Sequence, residues 1–219
     1  MASSKPVTHT VVTPQHVLWY IPNQIGYVRV ITMIISLLTM SSHPVYTTFI
    51  YGISCLLDAL DGTMARKYNQ VSSLGAVLDM VTDRSTTTCL ICYLSVLYPR
   101  WCAAFQLLIA LDLSSHYMHM YASLTGGNSS HKQVRPESSR LLHWYYTRRD
   151  VLFTICAFNE LFYLGLYLYG FARFETLGLS IVLICLPGYL FKQVANVIQL
   201  NRAALILASI DAKHATKTA

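Results

Sequence analysis

Between residues 58 and 83 the chain carries the pattern D-x-x-D-G-x-x-A-R-x8-G-x3-D-x3-D, which places Asp58, Asp61, Asp79 and Asp83 within one apolar stretch. An isolated charge in hydrocarbon is strongly disfavoured, and four like charges in one cluster demand compensation. Grouped carboxylates are most readily compensated by one or two hard divalent cations, which take oxygen ligands. The segment therefore reads as a buried metal site, and any fold for this chain must bring the four acids together.

The surroundings explain why that demand is severe. Of 219 residues, 54% are hydrophobic and only 12% charged, about half the charged fraction of a soluble domain. The expected class is an all-α integral membrane protein, a single domain over residues 1–219. Runs of spanning length fall at 24–41, 45–66, 73–98, 102–124, 151–171 and 177–199, predicting a compact bundle of six transmembrane helices. Pro22 and Asn23 signal the start of the first, Pro44 opens the second, and Pro187-Gly188 is expected to kink the sixth. Residues 1–22 form an N-terminal segment, with a short interfacial helix expected at 14–21 and Trp19 and Tyr20 at headgroup level. Residues 200–219 read as a cytosolic tail, of which 200–212 are expected to lie along the surface. No cleavable signal peptide is evident in the polar first 16 residues.

Charge orients the bundle. Lys5, Arg66, Lys67, the basic residues of 126–149, Arg202, Lys213 and Lys217 share a side with both termini, against Arg100 and Arg173 opposite. The positive-inside rule places that basic side, both termini included, in the cytosol, where the Asn128 sequon escapes glycosylation. The net charge of +6 suits a membrane surface and gives no reason to invoke nucleic acid. The six cysteines read as small packing residues, Cys89 and Cys92 included, because no second pair completes a metal site.

A short turn near residues 68–71 joins the second and third spans, so the two helices are expected to pack antiparallel. Asp61 and Asp79 lie equidistant from that turn, and Asp58 and Asp83 equidistant about one helical turn deeper. Spacings of i,i+3 and i,i+4 put each pair on one helix face, so four carboxylates converge roughly 10 Å below the cytosolic surface. Gly62 and Gly75 remove side chains where helices or substrate approach closely, and Ala65 keeps the Asp61 face open. Arg66 stands at the water boundary, where it can hold a phosphate. Ser72 or Ser73 can cap the third helix and donate to a phosphate oxygen.

The pattern resembles the signature of the CDP-alcohol phosphotransferases, membrane enzymes of phospholipid synthesis, with all eight defining residues and the eight-residue gap present. The stretches 22–29, 115–124 and 147–153 are similar to the fungal branch of that family that uses myo-inositol. The resemblance implies a homodimeric six-helix bundle of the endoplasmic reticulum, its active site open to the cytosol. It implies CDP-diacylglycerol and myo-inositol as substrates and two Mg²⁺ or Mn²⁺ ions as cofactors. Asp58, Asp61, Asp79 and Asp83 would hold the metal, Asp83 serving also as general base, and Gly62, Arg66 and Ser72 would contact the CDP-lipid.

The acceptor pocket is less constrained. His116 with Asp112 and His119, Arg148 with Arg149, and Asn159 with Glu160 are the candidates for a polyol that needs several fixed hydrogen bonds. Interhelical hydrogen bonding is an alternative role for the histidines, as is zinc for His116 and His119. Rival readings of the whole chain are a relative using another acceptor, a membrane prenyltransferase, and a divalent-cation transporter. The single acidic hairpin argues against the second, and the lack of an internal repeat against the third.

Overall fold

The structure, a computed structural model, describes residues 12–125 and 148–218, and all regular structure among them is helical. The short α1 (Pro14–Leu18) is opened by Thr13, whose hydroxyl accepts from the His16 backbone N–H at 3.4 Å. An extended Tyr20 leads into α2 (Ile21–Thr39), with Pro22 in its first turn. The start of α2 satisfies carbonyls left by α1: Asn23 donates to Val17 O at 2.6 Å and Gln24 to Trp19 O at 2.8 Å. Residues 1–11 and 126–147, with the sequon and the basic residues Lys5, Lys132, Arg135 and Arg140, lie outside the described residues.

The chain continues through α3 (Pro44–Lys67), α4 (Ser73–Leu97), α5 (Cys102–Thr125), α6 (Arg149–Tyr169) and α7 (Glu175–Thr218). Three helical segments, Ile21–Thr39, Asp150–Tyr169 and Ala172–Lys213, are long and apolar enough to cross a membrane. Helices α3, α4 and α5 have 24, 25 and 24 residues, ample length for a span of about 20. Their composition is diluted by the very polar residues singled out above.

Two expectations are corrected. The α3–α4 turn is as short as expected, with Asn69 at a φ of 53° and the Gln70 N–H on Ala65 O at 2.8 Å. Yet α3 and α4 scarcely touch, because α2 packs against both. Its Gly26 lies under Leu78, which a Cβ there would meet at 2.6 Å, and its Asn23 reaches Gly75. The acids thus face a wedge opened by a third helix, not the seam of a closed hairpin. The second correction is at the C-terminus. Residues 200–218, expected as a segment separate from the sixth span, continue α7 without a break.

Helices α6 and α7 make the most extensive pairing. A Cβ on Gly188 would fall 2.1 Å from the Phe158 ring, and one on Gly178 2.4 Å from the Tyr169 backbone nitrogen. The Pro187-Gly188 pair is therefore a site of close helix contact inside α7. Beside it Phe162 and Tyr189 stack with centroids 3.8 Å apart, and the core spreads through Tyr163, Tyr167, Leu90 and Leu94. Tyr167 anchors it by donating to Met40 O at 2.7 Å. All six cysteines are free thiols.

Candidate active site

Helices α3 and α4 deliver the four aspartates as the spacing requires, and α2 adds a group that the sequence reading passed over. Arg29 is 2% exposed, and its guanidinium reaches all four carboxylates. Nη1 lies 2.8 Å from Asp61 and 3.0 Å from Asp79; Nη2 lies 2.9 Å from Asp58 and also pairs with Asp83. The planar fork of arginine suits this work, since its donors diverge in fixed directions. The available signal was a single cation inside an otherwise uncharged span, which by itself marks a functional position. One positive charge against four negative leaves the cluster formally at −3.

The residues fit divalent cations. Asp58, Asp61 and Asp79 each offer an oxygen, and these atoms all lie within 4.8 Å of one another. A donor set of carboxylate oxygens alone favours Mg²⁺ or Mn²⁺ over softer metals. The acids differ in access: the Asp61 and Asp79 side chains are 10% and 19% exposed, Asp83 and Asp58 31% and 40%. The deeper pair along the helices is thus the more open pair, facing the wedge between α3 and α4.

The small and polar members of the motif line the same end. Gly62 has only the Arg66 guanidinium near its missing side chain, at 3.4 Å, so this face is open and has a cation over it. Arg66 is exposed and Ala65 half-buried. Ser72 is the N-cap of α4, accepting from the Gly75 N–H at 3.0 Å, which leaves its hydroxyl hydrogen to donate elsewhere. A Cβ on Gly75 would stand 2.9 Å from Asn23 Oδ1, a buried oxygen with no hydrogen-bond donor among the described residues. Gln70 ties the turn to α2 by accepting from the Ile21 N–H at 2.9 Å.

A second polar cluster begins one residue further along α4. Arg84 Nη2 stands 3.6 Å from Asp83, while its Nη1 donates to both Asp112 oxygens at 2.8 and 2.9 Å. Asn196 adds a 3.4 Å contact to Asp112. His116 has one ring nitrogen on the Asp112 carbonyl at 2.8 Å and the other 3.4 Å from Lys192 Nζ. Both ring nitrogens are engaged, which favours interhelical hydrogen bonding over zinc ligation. Glu160 accepts from Tyr51 at 2.5 Å and from Thr87 at 2.9 Å. The single Thr87 hydroxyl hydrogen is shared with the Asp83 carbonyl, 3.0 Å away, so this network buttresses the helix that carries Asp83. Sequence reasoning named Asp112, His116 and Glu160 but missed Arg84 and Lys192, again single cations inside apolar runs. Arg148 is exposed and pairs with Asp150 at 2.5 Å; the Arg149 side chain lies outside the described residues.

Comparison with known proteins shows the family. Residues 19–209 match the family model described as CDP-alcohol phosphatidyltransferase. The chain is 68% identical to the CDP-diacylglycerol–inositol 3-phosphatidyltransferase of Saccharomyces cerevisiae, over 94% of each chain. It is 54% identical to the Candida albicans protein of that name, over 94% of this chain and 89% of the relative. The human protein of that name is 40% identical over 93% of this chain and 98% of its own. No solved structure matches.

Proposed function

The chain belongs to the CDP-alcohol phosphatidyltransferase family, and from that premise we infer that it transfers a phosphatidyl group from CDP-diacylglycerol to a hydroxyl of myo-inositol. The products are phosphatidylinositol and CMP. The observation that carries the reading is the convergence of four aspartates from α3 and α4 on one point, with Arg66 and Gly62 on an open face beside them. Near-full-length identity to relatives that carry this activity in their names supports the choice of acceptor.

In the proposed arrangement the protein is a single domain with six membrane spans, α2 to α7. Both termini and the active site face the cytosol, and α1 lies at the interface. It resides in the endoplasmic reticulum as a homodimer. CDP-diacylglycerol enters sideways with its acyl chains in lipid. Arg66 and the Ser72 hydroxyl hold its diphosphate, and Gly62 lets it approach the α3 backbone. Asp58, Asp61, Asp79 and Asp83 would hold two Mg²⁺ or Mn²⁺ ions, which when bound would supply Lewis-acid polarisation at phosphorus and stabilise charge on the departing CMP.

Asp83 accepts the proton of the attacking inositol hydroxyl. Asp83 and Asp58, 31% and 40% exposed, are the two acids an entering acceptor reaches more readily than Asp61 or Asp79, and of these the family resemblance assigns the base to Asp83. The bond formed joins the inositol oxygen to the phosphorus bearing diacylglycerol; the bond broken joins that phosphorus to the CMP oxygen. His116 is assigned to the acceptor side, with Arg148 and Arg149 supplying positive charge at the cytosolic end of α6.

The test is CMP release by purified, reconstituted protein given CDP-diacylglycerol and Mg²⁺ or Mn²⁺, with myo-inositol, inositol phosphate, glycerol 3-phosphate and serine offered separately. Release with inositol alone, and phosphatidylinositol as the lipid product, is expected. Release driven by a different acceptor overturns the substrate assignment, and no metal-dependent release from folded protein overturns the reaction.

A further inference from the structure

Arg29 meets every acid of the site, and no role proposed above accounts for it. Each carboxylate directs an oxygen at the guanidinium, with Nη1 shared between Asp61 and Asp79 and Nη2 between Asp58 and Asp83. These are the same side chains whose clustered oxygens suit a divalent cation. A guanidinium and a metal ion cannot both take the same lone pairs, and in a poorly screened setting they also repel. The position is nevertheless held firmly: Gly26, one turn earlier on α2, lies under Leu78, and Asn23 packs on Gly75.

We propose that Arg29 is a built-in counter-ion that stands in for the metal. It holds the four aspartates together when the site is empty of cation and is displaced from them when a divalent cation loads. Charge arithmetic fits this exchange. With Arg29 alone the cluster stands at −3, a deficit that draws a cation in without leaving the apo-protein with four bare acids. With two divalent ions bound the sum of acids and metals is zero, and the displaced guanidinium is then the available partner for the diphosphate of the incoming lipid. The inference rests on the metal site proposed above.

The experiment measures Mn²⁺ binding and thermal stability of the full chain in detergent, without substrate, for wild type, Arg29→Gln, Arg29→Lys and Asp61→Asn. Free Mn²⁺ is followed by electron paramagnetic resonance. All preparations are purified with Mn²⁺ present and then chelated. Arg29→Gln is expected to bind Mn²⁺ at least about tenfold more tightly than wild type, since a competing charge is gone, while melting well below wild type after chelation. Arg29→Lys should fall between, keeping the charge but not the fork. Unfolding of Arg29→Gln on chelation, reversed by Mn²⁺, also supports the proposal. Unchanged or weaker Mn²⁺ binding by Arg29→Gln, or equal chelated stability, overturns it. A wild type that binds no Mn²⁺, or binds it as Asp61→Asn does, refutes the metal site itself, which distinguishes the two failures.

Discussion

Arg29 faces four carboxylates, whereas Arg84, one residue from Asp83, faces Asp112 with both oxygens turned toward one nitrogen. The first cluster carries surplus negative charge and two half-open acids. The second, with Arg84 and Lys192 against Asp112 and Glu160, is balanced, enclosed and cross-braced by Asn196 and His116. Surplus charge in an apolar setting marks a place where something from outside completes the balance. Matched charge marks a place where the protein has completed it alone. The two clusters share α4, so the balanced one can hold Asp83 steady while the unbalanced one works.

That contrast is open to direct attack. The largest effects belong to the unbalanced cluster: Asp61→Asn or Asp79→Asn should lower inositol-dependent CMP release by about three orders of magnitude or more. Asp83→Asn should abolish turnover equally while retaining most CDP-diacylglycerol binding, and near-normal turnover would refute its assignment as base. In the balanced cluster the effect should fall on stability. Arg84→Met strands Asp112, which is 6% exposed, and should destabilise the protein by about 3–5 kcal/mol. The double variant Arg84→Met/Asp112→Leu should regain much of that loss in thermal melts. Asp58→Asn should do the reverse and raise the melting temperature of chelated protein, because it removes one acid from an excess. If Arg84→Met and Asp58→Asn shift stability in the same direction, the distinction between the clusters fails.

Smaller effects lie away from both. Gly188→Ala places a methyl group against Phe158, which must shift, and should cost about 1–3 kcal/mol by thermal melting without altering the affinity for Mn²⁺. Arg148→Ala breaks only an exposed pair with Asp150 and should leave the melting temperature unchanged.

The helices and the acids were legible in sequence because both depend on local spacing. Predicted and observed ends agree within about three residues for five of the helices, as at 45–66 against Pro44–Lys67. The exception is α7, expected over 177–199 and observed over Glu175–Thr218: Asn201 and Arg202 interrupt the apolar run, which resumes at residues 203–208. A helix can run past the apolar boundary while its backbone hydrogen bonds continue, so the composition change marked no helix end. The α4 cap was readable as Ser72 or Ser73, and the structure gives it to Ser72, three residues before the Gly75 N–H it accepts from.

What the sequence determined by itself was the all-helical class, the placement of each acid on its helix face, and the motif that identifies the family. Periodicity and spacing act within one element and need no knowledge of its neighbours. Only the tertiary structure decided that α2 wedges between α3 and α4, that Arg29 answers all four acids, and that Arg84 is matched to Asp112. Those facts depend on which helices meet, and Arg29 stands 29 to 54 residues from the acids it bonds. A charge inside an apolar run announces that a partner exists; its identity is settled by packing, because the partner lies on another helix.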